Sequence, residues 1–521
     1  MATVAQQTIE GSRQTEQTRL DSLKTAAERN KWGQFATPFA LALSLARYAH
    51  KTFGEGRLRF LDPAIGTGSF YSALSQVVPA MSIEAATGVE LDPLFAEAAE
   101  SLWGNSGLHV VRGDFTRQKP PEQRFNLVLT NPPYVRHHHL ESDEKDRLRA
   151  QLARSLRMEI SGLAGLYCYF LLLCHDWMEE AGLAVWLIPS EFMDVNYGAT
   201  LRRYLSERVT LLHIHRFCPT DVQFADALVS SAVVVFRKSH PSPGHRVRFS
   251  FGGPIDDPQL EAQVPLDALR TSRKWTQFPA RITVETTDEL TLGDLFTIKR
   301  GLATGSNSFF ILDDEEIKHW RIPRRFLKPI LPGPRYLTTD IIEPQTAEAT
   351  TAAFPRLYLL DCSEPEDKIK MTWPRFYEYL QKGYESEIAA SYLASHRSPW
   401  YSQEQRPPAP FLCTYMGRSA NGRHPFRFIW NRSDATAHNV YLMLYPKSCL
   451  QEALKNHPEL EAKVFAALQR ITPSQLVAEG RVYGGGLHKV EPKELAQIPA
   501  RVVLESIAGH IRIERQEKLF A

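Results

Sequence analysis

The sequence predicts an α/β protein: a Rossmann-like, largely parallel sheet in the first half, followed by a second domain of mixed α+β character. Three observations carry this. A strand-like run, 57–61, feeds the loop Asp62-Pro63-Ala64-Ile65-Gly66-Thr67-Gly68 and then a helix, which is how a doubly wound sheet opens. Two further strand-like runs end in acids, 85–89 at Glu90 and 109–112 at Asp114. A fourth, 125–130, ends in Asn131-Pro132-Pro133-Tyr134.

At 521 residues the chain is too long for one ordinary core, so two or three domains are expected. It is 43% hydrophobic and 23% charged with a formal net charge of +2, so any nucleic-acid binding needs a local basic face. No apolar run approaches the roughly 20 residues of a membrane span. The amino terminus has no signal-peptide core. The six cysteines form no Cys-x-x-Cys pair and read as reduced, mostly buried thiols of a cytoplasmic protein. No metal site is expected: His137, His138 and His139 are adjacent and cannot all aim at one ion without a sharp bend.

Residues 1–30 are rich in Gln, Thr and Glu and read as a frayed or helical arm, too short for a nuclease domain. In Gly33-Gln34-Phe35-Ala36-Thr37-Pro38, Thr37 suits a helix cap and Pro38 the first helical position. A nicotinamide-type fingerprint wants a third glycine where this chain has Tyr71, which argues against a pyrophosphate cradle. Asp62 suits a cofactor with an amine and a carboxylate instead. Glu90, about 20 positions past the loop, suits ribose hydroxyls. Asp114 followed by Phe115 suits an adenine ring, one accepting from its amino group and the other packing on its face.

The two prolines after Asn131 cannot continue a sheet ladder, so 131–134 is a rigid turn at the carboxyl end of a strand, where ligands of open α/β sheets sit. It offers an amide oxygen, a backbone carbonyl and an aromatic face, which together suit a planar exocyclic amino group. Residues 163–178 read as an apolar core helix, 246–251 as one more strand at the sheet edge, and 254–290 as a connector with helical pieces. From there on, bases and aromatics interleave. Lys299, Arg300, Arg324, Arg325, Trp400, Arg418 and Lys489 are the candidates for DNA contact, with the stretch 299–307 suited to phosphate contact through side chains and backbone N–H groups.

Residues 33–38, 62–68, 90, 114–115 and 131–134, in that order, resemble the gamma class of adenine-N6 DNA methyltransferases of restriction–modification systems. The likeness continues through 165–170, 187–190, Phe224 and the strand 230–236. It implies S-adenosylmethionine as cofactor and a seven-stranded sheet with one antiparallel strand. It also implies double-stranded DNA as substrate, a cognate restriction endonuclease as functional partner, and a prokaryotic cytoplasm. By the same likeness Thr37, Pro38, Asp62, Ala64, Gly66, Gly68, Glu90, Asp114, Phe115 and Asn131 surround the cofactor. Asn131 and Pro132 hold the target amine, and Tyr134 and Phe224 sandwich a flipped adenine. The expected layout is an arm (1–30), a methyltransferase domain (31–285) and a target-recognition domain (286–521). Two other readings stand beside it. One is a protein-glutamine methyltransferase, disfavoured by the 33–38 segment and the long tail. The other is a non-catalytic DNA-binding protein on a relic methyltransferase fold, disfavoured by the intact cofactor set.

Overall fold

The computed structural model describes residues 4–218, 223, 230–272, 274–279, 290–344, 355–418, 424–472, 475, 476, 479–483 and 487–508. They form two compact units that part between residues 286 and 287.

The first unit is built on β1 (Leu58–Asp62), β2 (Ile83–Glu90), β3 (Leu108–Arg112), β4 (Phe125–Thr130), β5 (Met178–Pro189), β6 (Thr210–Arg216), β7 (Ser231–Arg237), β8 (Arg246–Phe251) and β9 (Leu260–Pro265). Their order is β3-β2-β1-β4-β5-β7-β6-β8-β9. Seven strands were expected, and the sheet has nine. β8 and β9 extend the far edge, and β9 arises inside the stretch read as a connector. The antiparallel strands are β7, against β5 and β6, and β9, against β8. All six residues of β4 are buried. Successive side chains point to opposite faces of a strand, so Leu127 and Leu129 enter one core and Val128 the other. Burial on both faces is why the central strands read as unbroken apolar runs.

One core is roofed by α3 (Phe39–Phe53), α4 (Ser69–Val77) and α5 (Pro93–Trp103). The other is roofed by α6 (Ser142–Ser155) and α7 (Leu166–Leu173), the latter followed by a 3-10 turn, Cys174–Trp177. Of the two readings of the amino-terminal arm, frayed or helical, the described part from Val4 onward is helical. It holds α1 (Val4–Ser22) and α2 (Ala26–Trp32), and Leu20 of α1 packs on Phe95 and Ala98 of α5.

The second unit carries β10 (Phe296–Arg300), β11 (Ile311–Leu312), β12 (Leu327–Ile330), β13 (Ile341–Ile342), β14 (Leu357–Leu360), β15 (Phe411–Thr414), β16 (Met416–Arg418), β17 (Phe428–Asn431), β18 (Tyr441–Pro446), β19 (Arg481–Tyr483) and β20 (Leu487–Lys489). They form a five-stranded sheet, β10-β18-β15-β17-β13, and two three-stranded sheets, β11-β14-β12 and β16-β20-β19. A separate aromatic core, with Phe309, Phe376, Tyr379 and Trp400, backs β11-β14-β12.

Candidate active site

The site lies along the carboxyl edge of β1, β2 and β4. Asp62 ends β1 at 1% exposure. Its Oδ1 accepts from the hydroxyl of Thr130, at the end of β4, at 2.6 Å and from the Ala64 N–H at 3.1 Å. Burial pushes the Asp62 carboxyl up to about 7, the neighbouring Glu90 adding to the rise. Glu90, whose pKa burial also raises, ends β2 and braces the glycine loop. Its Oε2 accepts from Gly66 N–H at 2.9 Å and its Oε1 from Asp92 N–H at 2.9 Å. Gly66 has φ +55°, and Gly68 has φ +89° with Trp103 so close that a Cβ would lie 2.5 Å from its indole nitrogen. Neither position tolerates a side chain without strain.

The arm closes the loop from outside. Arg13 Nη1 donates to the Thr67 hydroxyl at 3.0 Å, which itself donates to Gln17 Oε1 at 2.7 Å. Arg13 is 3% exposed and pairs with Glu10, which also accepts from the Ser72 hydroxyl at 2.5 Å. Burial alone would raise the Glu10 carboxyl, but the Arg13 and Ser72 bonds outweigh it and leave it below its usual value. Nothing in the composition of residues 4–22 signals this role, because the partners lie about fifty or more positions away.

The segment 33–38 packs directly on the turn 131–134. Gly33 (φ +63°) comes so near that a Cβ there would sit 2.3 Å from Tyr134 N, and the Tyr134 N–H donates to Gly33 O at 3.1 Å. The Asn131 amide nitrogen donates to Phe35 O at 3.0 Å and to Thr37 Oγ1 at 3.1 Å. A carbonyl only accepts, so this fixes which end of the amide is nitrogen. The other end, Asn131 Oδ1, is buried with no partner.

Two expectations need correction, the Thr37 cap and the open face of Phe115. Thr37 caps no helix. Pro38 holds the N-cap position of α3, and the Thr37 hydroxyl serves Asn131 instead. Phe115 is not an open face: at 2% exposure it packs against Phe170 and Trp177, with centroids at 5.2 and 5.0 Å. Asp114 Oδ1 caps the short turn that follows, accepting from Thr116 N and Oγ1 at 2.8 Å each, while Oδ2 faces Arg117. Tyr134 is buried, with its hydroxyl donating to Leu187 O at 3.1 Å and its ring tilted against Phe35. Burial keeps that phenol protonated, raising its pKa. Phe224 lies outside the described residues.

In the second unit most candidate contacts are already engaged. Trp400 is a core residue at 9% exposure, so it offers no face to DNA. Arg324 pairs with Asp314 at 2.6 Å and lies over Tyr358. Arg325 pairs with Glu364 at 3.5 Å, and Lys489 with Glu491 at 2.8 Å. Arg300 donates to Asn439 O and lies 4.1 Å from the Tyr415 ring centroid. The backbone N–H groups of Gly301 and Leu302 bond to Tyr441 O and Ala437 O, so they are not available to phosphates as expected. The side chains of Lys299 and Arg418 are exposed and, among the described residues, make no hydrogen bond or ion pair, while their backbones pair within the sheets.

Comparison with known proteins places this arrangement. Residues 96–223 match the Eco57I restriction-modification methylase family, and residues 278–520 match the C-terminal domain of type II methyltransferase M.Eco57I. Both matches are to Eco57I-like type II restriction–modification methyltransferases, which this chain resembles in each half. It is 28% identical to type II methyltransferase M.XamI of Xanthomonas campestris pv. amaranthicola, over 84% of this chain and 80% of that protein. It is 25% identical to M.AccI of Acinetobacter calcoaceticus, over 90% and 85%. The type IIL restriction-modification enzyme MmeI, solved in complex with DNA, shares the fold at TM-score 0.51 and 12% identity, over 90% of this chain and 71% of that one. These matches support a restriction–modification DNA methyltransferase, and enzymes of that kind imply S-adenosylmethionine. The residues present fit that cofactor. Asp62 is a buried carboxylate with no ion pair among the described residues, suited to an amine, and Glu90 stands at the next strand end. No helix among the described residues is long and apolar enough to cross a membrane.

Proposed function

We propose that this methyltransferase acts on N6 of adenine in double-stranded DNA, within a specific sequence. One observation carries the reading: the Asn131 amide is pinned through its nitrogen, leaving Oδ1 buried and unpartnered at the carboxyl edge of β4. A buried acceptor without a donor is costly, so it is kept where a ligand donor completes it. An exocyclic amine conjugated to a base is a weak nucleophile. Asn131 Oδ1 and the Pro132 carbonyl accept its two N–H bonds, which localises the lone pair on nitrogen. Bound S-adenosylmethionine supplies an electrophilic methyl on sulfur. Asp62 takes the cofactor's amine and Glu90 its ribose hydroxyls, while Thr37 and Phe35 keep the amide of Asn131 aimed. Preoriented acceptors of this kind stabilise positive charge as it grows on the attacking nitrogen.

The base must leave the duplex to reach the turn, at a cost of a few kcal/mol. Tyr134 and Phe224 are the rings assigned to hold it. The second unit is assigned sequence recognition, and a cognate endonuclease is the expected functional partner. The test is nucleoside mass spectrometry of duplex DNA modified by the protein, with methylation-sensitive sequencing of the same DNA. N6-methyladenine at one recurring sequence is the expected product. N4-methylcytosine would overturn the adenine assignment, and methylation of a glutamine peptide in place of DNA would overturn the substrate class.

A further inference from the structure

We propose that Arg216 is a phosphate-binding residue, gripping the backbone of the DNA strand that carries the target base. The proposal rests on the DNA-methylation reading and adds a residue to the substrate side of that site.

Arg216 is the last residue of β6, so it stands on the same carboxyl edge of the sheet as Asp62 and Asn131. Its guanidinium lies over the ring of Phe251, the last residue of β8, at 4.7 Å from the centroid. Nε is sealed from solvent and has no hydrogen-bond partner. Among the described residues Arg216 makes no ion pair. Asp194 faces it electrostatically, but both Asp194 carboxylate oxygens accept from the Thr276 hydroxyl, at 2.7 Å each. Burial depresses the Arg216 pKa from its ordinary value. A desolvated cation whose burial is not offset by any ion pair among the described residues is destabilising, and the arrangement is completed by an anion arriving from outside.

Topology narrows which anion. In the order β1-β4-β5-β7-β6, β6 lies three strand spacings from β4 and four from β1. At about 4.8 Å per strand, that is roughly 14 Å from the Asn131 turn and 19 Å from Asp62. The carboxylate of a cofactor anchored on β1 and β2 is therefore on the wrong side. A nucleic-acid strand whose base reaches Asn131 carries its phosphates across this interval. A planar guanidinium matches a phosphate through two parallel hydrogen bonds. Such a contact sets register without reading sequence. Arg216 is thus a positioning residue: it holds the strand while the base is out of the stack.

The test is a methylphosphonate scan of the strand carrying the target adenine, in a duplex bearing the mapped recognition sequence. Neutralising one phosphate near that adenine should weaken wild-type binding about tenfold. Arg216→Ala should bind the unmodified duplex about as weakly, show no further loss at that position, and have a log K against log salt slope shallower by about 0.9. Cofactor affinity by calorimetry should be unchanged. Arg216→Lys keeps the charge but not the fork. It should retain the sensitive position with a smaller penalty, which keeps the idea testable if the alanine variant does not fold. A scan profile in either variant that matches the wild type in position and depth would overturn the assignment of Arg216. Absence of duplex binding by the wild-type protein would instead overturn the DNA-methylation reading.

Discussion

The two units treat their motif residues in opposite ways. In the first, the segments 33–38, 62–68, 90 and 131–134 hold one another. Asn131 is bonded by Phe35 and Thr37, Gly66 by Glu90, and Asp62 by Thr130, yet Asn131 Oδ1 stays open. In the second, the basic and aromatic clusters that read as a DNA surface are largely satisfied internally, leaving Lys299 and Arg418. A preorganised site keeps an unfilled valence at its centre. A clustered composition with none has spent its chemistry on packing.

The sharpest way to break this contrast is to truncate one member of each kind. Trp400 fills the aromatic core against Phe309, Phe310, Tyr384 and Tyr401. Trp400→Ala should cost about 3–5 kcal/mol of stability in denaturant titrations. DNA affinity lost without any stability loss would return Trp400 to the interface. Asn131→Ala should leave folding and DNA affinity nearly intact and slow single-turnover methylation about 100- to 1,000-fold, as loss of one preorganised partner does. A rate near the wild type would remove the turn from the chemistry. Thr37→Val deletes one of the two groups orienting Asn131, so the same assay should show a drop of a few-fold up to about tenfold.

The cofactor pocket adds a pH dependence. The Asp62 carboxyl sits at about 7 in the free protein, above its ordinary value, because of burial. Below about 7 it holds a proton that a cationic amine must displace. S-adenosylmethionine affinity should therefore be full above pH 7 and fall by up to tenfold per unit below it. Calorimetry of Asp62→Asn should show weak, pH-independent binding across that window, and a wild-type curve that is flat between pH 5 and 8 would contradict the assignment. The smallest effect belongs to the two candidate DNA contacts whose side chains are unengaged among the described residues. Replacing Lys299 and Arg418 together by alanine should weaken duplex binding a few-fold at low salt, on any sequence, and flatten the salt slope by up to about 1.8. An unchanged slope would move the DNA surface elsewhere.

What the sequence made legible follows the range of the interactions. Strand β4, the glycine loop and the acids at the ends of β1 and β2 are local patterns, and β8 was readable as an alternating run. The bond from Asn131 to Thr37 spans 94 positions, so the same Thr-Pro pair read as an ordinary helix cap. Phe115 misled because an aromatic after a strand-end acid packs equally well into a core. β9 was missed because only Val264 of its six residues is buried, so no apolar alternation marks it. Trp400 stands beside Tyr401 and near Arg397 in sequence, and that composition is the same whether the rings face DNA or Phe309.

The amino-terminal helix has a consequence for the order of assembly. It leaves the ribosome before Thr67 and Ser72 exist, so it spends that interval as a hydrated, largely polar segment. Its Glu10–Arg13 pair cannot shed water favourably until Thr67 of the glycine loop and Ser72 of α4 offer the two hydroxyls that complete it. Docking of the helix is therefore a late event that reports a finished glycine loop. Protease resistance of residues 4–22 should accordingly appear together with cofactor-binding competence during refolding, and not before it.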